Sequence, residues 1–209
     1  MVWPGGARTL VGALALACAS APAARPRPFL PVPLISQSTS YSCGAAALMS
    51  VLLYFQVFDG PEAELHAPLA VTPEQGTHPD RIVKVAQRFG LQADKRDGLD
   101  LEDLRQELGS GALVILDIQA WPDGSRRRWQ DHWEDGHYVV LVGMDDRNVY
   151  VMDPSVRGRY GYIPQPELLQ RWHDYEREAG RRRIYDRLGI VVRGAEPLEA
   201  YPGPPVRIR

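Results

Sequence analysis

The sequence predicts an α+β domain in which helices come first and an antiparallel sheet follows. Three observations carry that prediction. From Cys43 onward, Ala45-Ala46-Ala47-Leu48-Met49 with Val51, Leu52 and Phe55 is apolar around most of a helical cylinder, as in a helix buried in a core. Two further helical spacings follow, at Pro79 to Phe89 and Asp100 to Gly109. Only then come His137 to Met144 and Asn148 to Met152, two strand-like runs joined by Asp145-Asp146-Arg147, a connection of hairpin length.

In chain order, Ser40 or Ser42 can cap the first helix and places Cys43 at its first turn. Gly60 to Thr77 is rich in Pro and Gly and reads as an irregular loop. Ile82, Val83, Val85, Ala86 and Phe89 give the second helix its face, and Gly90 stops it. Asp100 before Leu101-Glu102-Asp103-Leu104 opens the third, closed by Gly109. Ala112 to Ile118 is an apolar run of strand length and is expected at the centre of the sheet. Trp121 to Gly136 is a polar, aromatic-rich loop. After the hairpin, Pro164 to Asp174 is expected as a helix and Leu188 to Val192 as a strand.

With 209 residues, 44% of them hydrophobic, the chain can bury one domain but hardly two. Its net charge of -2 and lack of a long basic run exclude the electrostatic footprint of a nucleic-acid binder. Residues 1–21 have the plan of an export signal: Arg8, then an apolar stretch from Leu10 to Ala19, then Ala, Ser and Pro. That stretch is too short to span a bilayer, which needs roughly 20 residues. Leu14-Ala15-Leu16-Ala17-Cys18 resembles a lipobox, so lipidation of Cys18 and simple cleavage near Ala19-Ser20-Ala21 both remain open. Residues 22–31 form a Pro-rich linker, 32–194 the domain, and 195–209 a Pro-rich tail expected to be loosely ordered. The expected location is outside the cytoplasm, in a bacterial periplasm or held to a membrane by a lipid on Cys18.

Cys18 and Cys43 are the two cysteines, and the first falls in the leader, which leaves Cys43 as a lone thiol. A thiol becomes a useful nucleophile when a helix N-terminus or an imidazolium lowers its pKa. Cys43 has the first through its position, and Gly44 beside it leaves room for a substrate carbonyl. The Cys43 N–H, free of helical bonding, can donate to a developing oxyanion, and the Gln37 side-chain amide is the candidate second donor. His137, opening a strand after Gly136, is the candidate base. Asp153, ending the returning strand, is the candidate group that orients it. Strand parity sets a condition: if Met144 pairs with Asn148, Asp153 falls opposite Val139 and on the face of His137. A two-residue loop would put it on the other face.

Gln37, Ser42-Cys43-Gly44-Ala45-Ala46, Gly136-His137-Tyr138-Val139-Val140-Leu141 and Asp153-Pro154, in that order, resemble the bacteriocin-processing, double-glycine leader peptidases, a branch of the papain-like cysteine peptidases. The resemblance spans roughly Val32 to Val192. It implies Cys43 as nucleophile, His137 as base, Asp153 as orienter and Gln37 as oxyanion donor, in a papain-like fold whose cysteine helix packs on an antiparallel sheet. It implies hydrolysis of a peptide or peptide-like substrate through an acyl-enzyme thioester; no cofactor is expected, and the spacing of His132 and His137 fits neither a helical nor a close strand pair of zinc ligands. Transglutaminase-like acyl transfer with the same triad and an idle, surface-anchored peptide-binding module are the competing functions. A monomer is the expected state.

Trp121, Trp129 and Trp133, with Arg126-Arg127-Arg128, crowd the loop before His137. Two readings are open for them. One is a wall of a substrate cleft, with the arginines meeting a carboxylate or an anionic polymer; the other is tryptophans closing the core edge and arginines in solvent. Arg181-Arg182-Arg183 is expected as a solvated charge run, and His66, His78, His132 and His173 as surface residues.

Overall fold

A computed structural model of the chain describes residue 1 and residues 27–121, 128–178 and 180–200. The expected export signal with Cys18, the start of the Pro-rich linker, Arg126, Arg127 and the last nine residues lie outside these. Helices α1 (Cys43–Tyr54), α2 (Ala63–Leu69) and α3 (Pro79–Arg88) come first, followed by β1 (Gln92–Arg96), α4 (Leu101–Gly109) and β2 (Leu113–Gln119). The second half holds β3 (Gly136–Met144), β4 (Asn148–Met152), β5 (Gly161–Pro164), α5 (Gln165–Arg171), β6 (His173–Glu178), β7 (Arg181–Asp186) and β8 (Gly189–Arg193). One antiparallel sheet runs β1-β8-β2-β3-β4-β5, and β6 and β7 form a separate two-stranded ribbon.

The sheet has a core on each face. Alternation along β3 sends Tyr138, Val140 and Val142 to one side, with Ala47, Leu48 and Val51 of α1 and Ile82 and Val85 of α3. Val139 and Leu141 go to the other, with Leu104 and Leu108 of α4 and Leu168 of α5. Covered on both faces, β2 is buried throughout its length, which is why its sequence is almost continuously apolar. Asp100 caps α4 through a full capping box, accepting from the Glu102 and Asp103 N–H groups at 2.8 Å each.

Several expectations are corrected. Gly60 to Thr77 contains α2, a short helix whose Leu65 and Leu69 enter the core. The helix expected to run to Asp174 ends at Arg171, and His173–Glu178 turns into a strand paired with Arg181–Asp186, so the arginine run belongs to a ribbon. His132 and His173 are buried: His173 Nε2 bonds the His132 carbonyl at 2.8 Å, and His132 Nε2 lies 3.0 Å from Asp135. Residues outside 32–194 also pack on the domain. Phe29 bridges Gly143, Leu30 N–H donates to the Val142 carbonyl at 2.8 Å, and Leu198 N–H reaches the Tyr54 carbonyl at 2.8 Å.

The β3–β4 hairpin meets the parity condition by a different route. Met144 pairs with Val149 and Gly143 with Tyr150, a register that would carry Asp153 opposite Val140 and onto the wrong face. A bulge at Val142 shifts it, so that Leu141 pairs with Val151 and Val140 with Met152. Continuing that register places Asp153 opposite Val139, on the face that His137 shares.

Candidate active site

Cys43 is the first residue of α1 and the free thiol among the described residues. Ser42 occupies the N-cap position without capping: its hydroxyl turns back to Thr39, accepting from the Thr39 N–H at 3.0 Å. The first-turn N–H groups therefore take no cap from Ser42. Burial alone would push the Cys43 thiol up. Hydrogen bonding and charge from His137, with the backbone N–H groups of Tyr138 and Gly44, outweigh it and hold the thiol below its ordinary value.

His137 is buried, with Nε2 2.8 Å from Asp153 Oδ1. Its Nδ1 is buried with no hydrogen-bond partner among the described residues, and the Cys43 thiol is close enough to act on the ring. Burial disfavours the imidazolium, yet the Asp153 hydrogen bond and the Cys43 charge raise the pKa to about 9. Asp153 moves the other way: burial raises it, and the His137 and Ser155 contacts bring it below the usual carboxylate range. Together these shifts favour a thiolate beside an imidazolium backed by a carboxylate. Trp121 lies over the ring with centroids 4.7 Å apart, its backbone held at φ 44°, a conformation that a bulky residue seldom adopts.

Gln37 is engaged in part within its own loop. Its Nε2 donates to the Thr39 carbonyl at 2.8 Å, which uses one of its two N–H groups, and Oε1 is buried without a partner. Its backbone N–H donates to the Pro154 carbonyl at 3.0 Å, so the loop is tied to the residue after Asp153. Glu62 of the following segment fixes the loop from the other side, taking the Ser38 N–H and hydroxyl at 2.9 Å each.

A cleft of about 410 Å³ opens at Cys43, with Tyr138, Trp121, Trp133, Gly136 and Thr77 in its walls. Gly44 is not among its lining residues: a Cβ there would lie 2.7 Å from Thr77 Cβ and 3.1 Å from the Tyr138 ring, so its missing side chain serves packing rather than substrate approach. At Gly136 the space of a side chain is taken by the Asp174 carboxylate. Trp133 stacks on His173 at 4.2 Å, and Arg182 lies over Trp133 and Tyr175 at 4.8 and 3.7 Å. Arg128 is engaged locally with Asp131 at 3.1 Å.

Sequence reasoning missed Asp117, Asp174 and Thr77. Asp117 did leave a signal, as the one charge inside the apolar run of β2. It is buried opposite Tyr138, with its carboxyl hydrogen-bonded to Asp174. Burial first, then the Asp174 charge, push Asp117 well above the usual carboxylate range, and burial pushes Asp174 up as well. Asp174 came to the cleft on a strand that the sequence did not announce.

Residues 31–176 match the model of the peptidase C39 family. An uncharacterised protein of Methanothermobacter thermautotrophicus is 35% identical over 123 residues, 59% of this chain and 72% of the relative. Among solved structures, a double-glycine motif protease from an AMS/PCAT transporter, in complex with its leader peptide, superposes with a TM-score of 0.56. It is 22% identical and covers 82% of this chain and 97% of its own. A putative C39-like peptidase from Bacillus anthracis gives 0.58 at 17% identity, over 79% of this chain and 96% of its own. These two likenesses show the papain-like α+β fold.

Proposed function

Because the chain belongs to the peptidase C39 family of cysteine peptidases, we propose that it hydrolyses peptide bonds with Cys43 as nucleophile, His137 as acid and base, and Asp153 as the group that orients the ring. The observation that carries this reading is the buried Asp153–His137 contact with Nδ1 left for Cys43. The Cys43 thiolate attacks the scissile carbonyl carbon, and the carbonyl electrons move onto oxygen. The Cys43 N–H and the second N–H of the Gln37 amide supply the donors for that oxyanion. As the C–N bond breaks, His137 gives its Nδ1 proton to the leaving amine and a thioester remains on Cys43. Water then attacks the thioester, His137 takes its proton, and release of the acid restores the thiolate. Trp121 packs against the imidazole ring and helps hold its orientation.

The similar double-glycine protease holds a leader peptide, which supports a peptide as the substrate class here. Incubation with a peptide panel, followed by mass spectrometry of the fragments, tests the reading. Cleavage that disappears in Cys43→Ala supports it, and cleavage that survives in that variant refutes it.

The reading extends to an exported enzyme, on the strength of the signal-like plan of residues 1–21. The mass of the native protein tests this part: loss of the leader is the expected result, a diacylglyceryl adduct on Cys18 selects lipidation, and an intact Met1 terminus overturns export.

A further inference from the structure

Gln37 is placed by its backbone more than by its side chain. Its amide donates from Nε2 to the Thr39 carbonyl at 2.8 Å, and Oε1 is buried without a partner among the described residues. That carbonyl belongs to the same loop, so the bond fixes the amide relative to residues 37–39 and leaves open where those residues stand relative to Cys43. Two hydrogen-bonded ties beyond the loop bear on this. On one side the Gln37 N–H donates to the Pro154 carbonyl at 3.0 Å, next to Asp153. On the other, Ser38 donates its N–H to Glu62 Oε2 and its hydroxyl to Glu62 Oε1, at 2.9 Å each.

Glu62 is a fixed post for that second tie. It stands at the N-cap of α2, yet its side chain makes no capping bond to its own helix. The residue is 8% exposed, and a carboxylate so placed is costly to bury unless donors surround it. The donors here are the two of Ser38 and the ring of His66, whose Nε2 lies 2.9 Å from Oε1. The post is anchored in turn, because Leu65 and Leu69 of the same helix enter the core. Ser38 lies 24 residues earlier in the chain, so the pairing joins two separate segments across the fold.

Resting on the peptidase reading above, we propose that Glu62 is a positioning residue for catalysis: through Ser38 it sets the place of the Gln37 amide, whose free N–H meets the oxyanion formed on the scissile carbonyl. Glu62 is not among the lining residues of the cleft, so it meets the reaction only through this chain of contacts. An oxyanion donor counts only within hydrogen-bond reach of the developing charge. A displacement of about 1 Å can cost on the order of a hundredfold in rate. His66 is bonded to the carboxylate rather than to Ser38 and stands one contact further from the chemistry.

Steady-state kinetics of the full-length protein on a cleaved peptide, with thiol labelling beside it, tests this. Glu62→Ala should lower kcat about ten- to a hundredfold with KM nearly unchanged, and alkylation of Cys43 should keep its wild-type rate. Glu62→Asp keeps the charge and suits a helix start at least as well, but its shorter side chain withdraws from Ser38. Its kcat should fall too, which a role confined to α2 would not give. Glu62→Gln retains an acceptor for the Ser38 N–H and should recover most of the loss. His66→Ala should stay close to wild type. The double variant decides the route: in a Gln37→Ala background, Glu62→Ala should cost less than about threefold more, because the donor it places is already gone. Losses that multiply in the double variant, alkylation that falls in step with kcat, or a Glu62→Asp enzyme with wild-type turnover overturn the proposal. If Glu62→Ala fails to fold, Glu62→Asp, alone and combined with Gln37→Ala, carries the same tests. Wild-type protein that cleaves no peptide of the panel refutes the peptidase reading and this proposal with it; cleavage indifferent to Glu62 refutes this proposal alone.

Discussion

Oδ1 of Asp153 accepts from His137 Nε2 at 2.8 Å while the same oxygen takes the Ser155 N–H and hydroxyl at 2.7 Å each. The carboxylate is therefore held by its own turn before it holds the histidine. Everything that fixes its position acts on one acceptor oxygen, and an amide has that oxygen too. Asp153→Asn keeps the ring oriented and loses only the charge that stabilises the imidazolium. Its kcat/KM should fall about tenfold, against about a thousandfold or more in His137→Ala, which removes the proton carrier altogether. Steady-state kinetics on one peptide compares the two; equal losses would require another role for Asp153.

The opposed shifts of Cys43 and His137 predict a pH profile with a sign. The Cys43 thiol is held below its ordinary value, so the thiolate forms at lower pH than in a free cysteine and increases as pH rises through that lowered pKa. The imidazolium persists until about pH 9 and is lost above it. Peptide hydrolysis should therefore rise as the thiolate forms and fall near pH 9 as the proton donor disappears. Alkylation of Cys43 needs no proton donor and should not fall there. In His137→Ala the burial penalty on the thiolate remains while its largest support is gone, so the alkylation midpoint should move up. An unmoved midpoint would show that the helix end and backbone N–H groups suffice.

Gly44→Ala tests whether that glycine is a packing requirement. An added methyl group would press on Thr77 Cβ at 2.7 Å, in a wall whose other side is Tyr138. Overpacking of this kind costs roughly 1–3 kcal/mol, and here it also displaces the cleft wall beside Cys43. Denaturant unfolding should show the loss of stability, and kcat/KM should fall with it. A variant as stable and active as wild type would return Gly44 to the role of an open approach for substrate.

What could be read in the residues follows from how local each signal is. The cysteine helix, the capped α4 and the buried β2 carry their periodicity or caps within a few residues, and they stand where the sequence puts them. β1 could not be read that way: Ala93 is its one apolar residue, and as an edge strand it tolerates Asp94, Lys95 and Arg96. The ribbon of β6 and β7 is charged for the same reason, standing outside the main sheet. The pairing of His137 with Asp153 was legible as a parity requirement. The bulge at Val142 that satisfies it was not, since an extra residue in an apolar run leaves no mark in composition. Asp117 and Asp174 meet through tertiary packing of β6 against β2, which no short-range pattern reports.

Gln37 gives the sharpest test of the oxyanion assignment. Its Nε2 is engaged with the Thr39 carbonyl, so the loop has already chosen the orientation of the amide: the opposite flip would set Oε1 against a carbonyl. One N–H remains to serve an oxyanion. The loop itself does not depend on this side chain, because its backbone is held by the Pro154 carbonyl and by Glu62 through Ser38. Gln37→Ala should therefore leave the fold, the KM and the alkylation of Cys43 nearly unchanged. Loss of one oxyanion donor typically lowers kcat by about 100 to 1000-fold. Gln37→Glu presents an acceptor in place of a donor and should be at least as damaging, with a carboxylate facing the developing negative charge. Kinetics of both variants, alongside thiol labelling, isolates the effect. Turnover at the wild-type level in Gln37→Ala would remove Gln37 from the oxyanion site and leave the helix-end N–H groups as its donors.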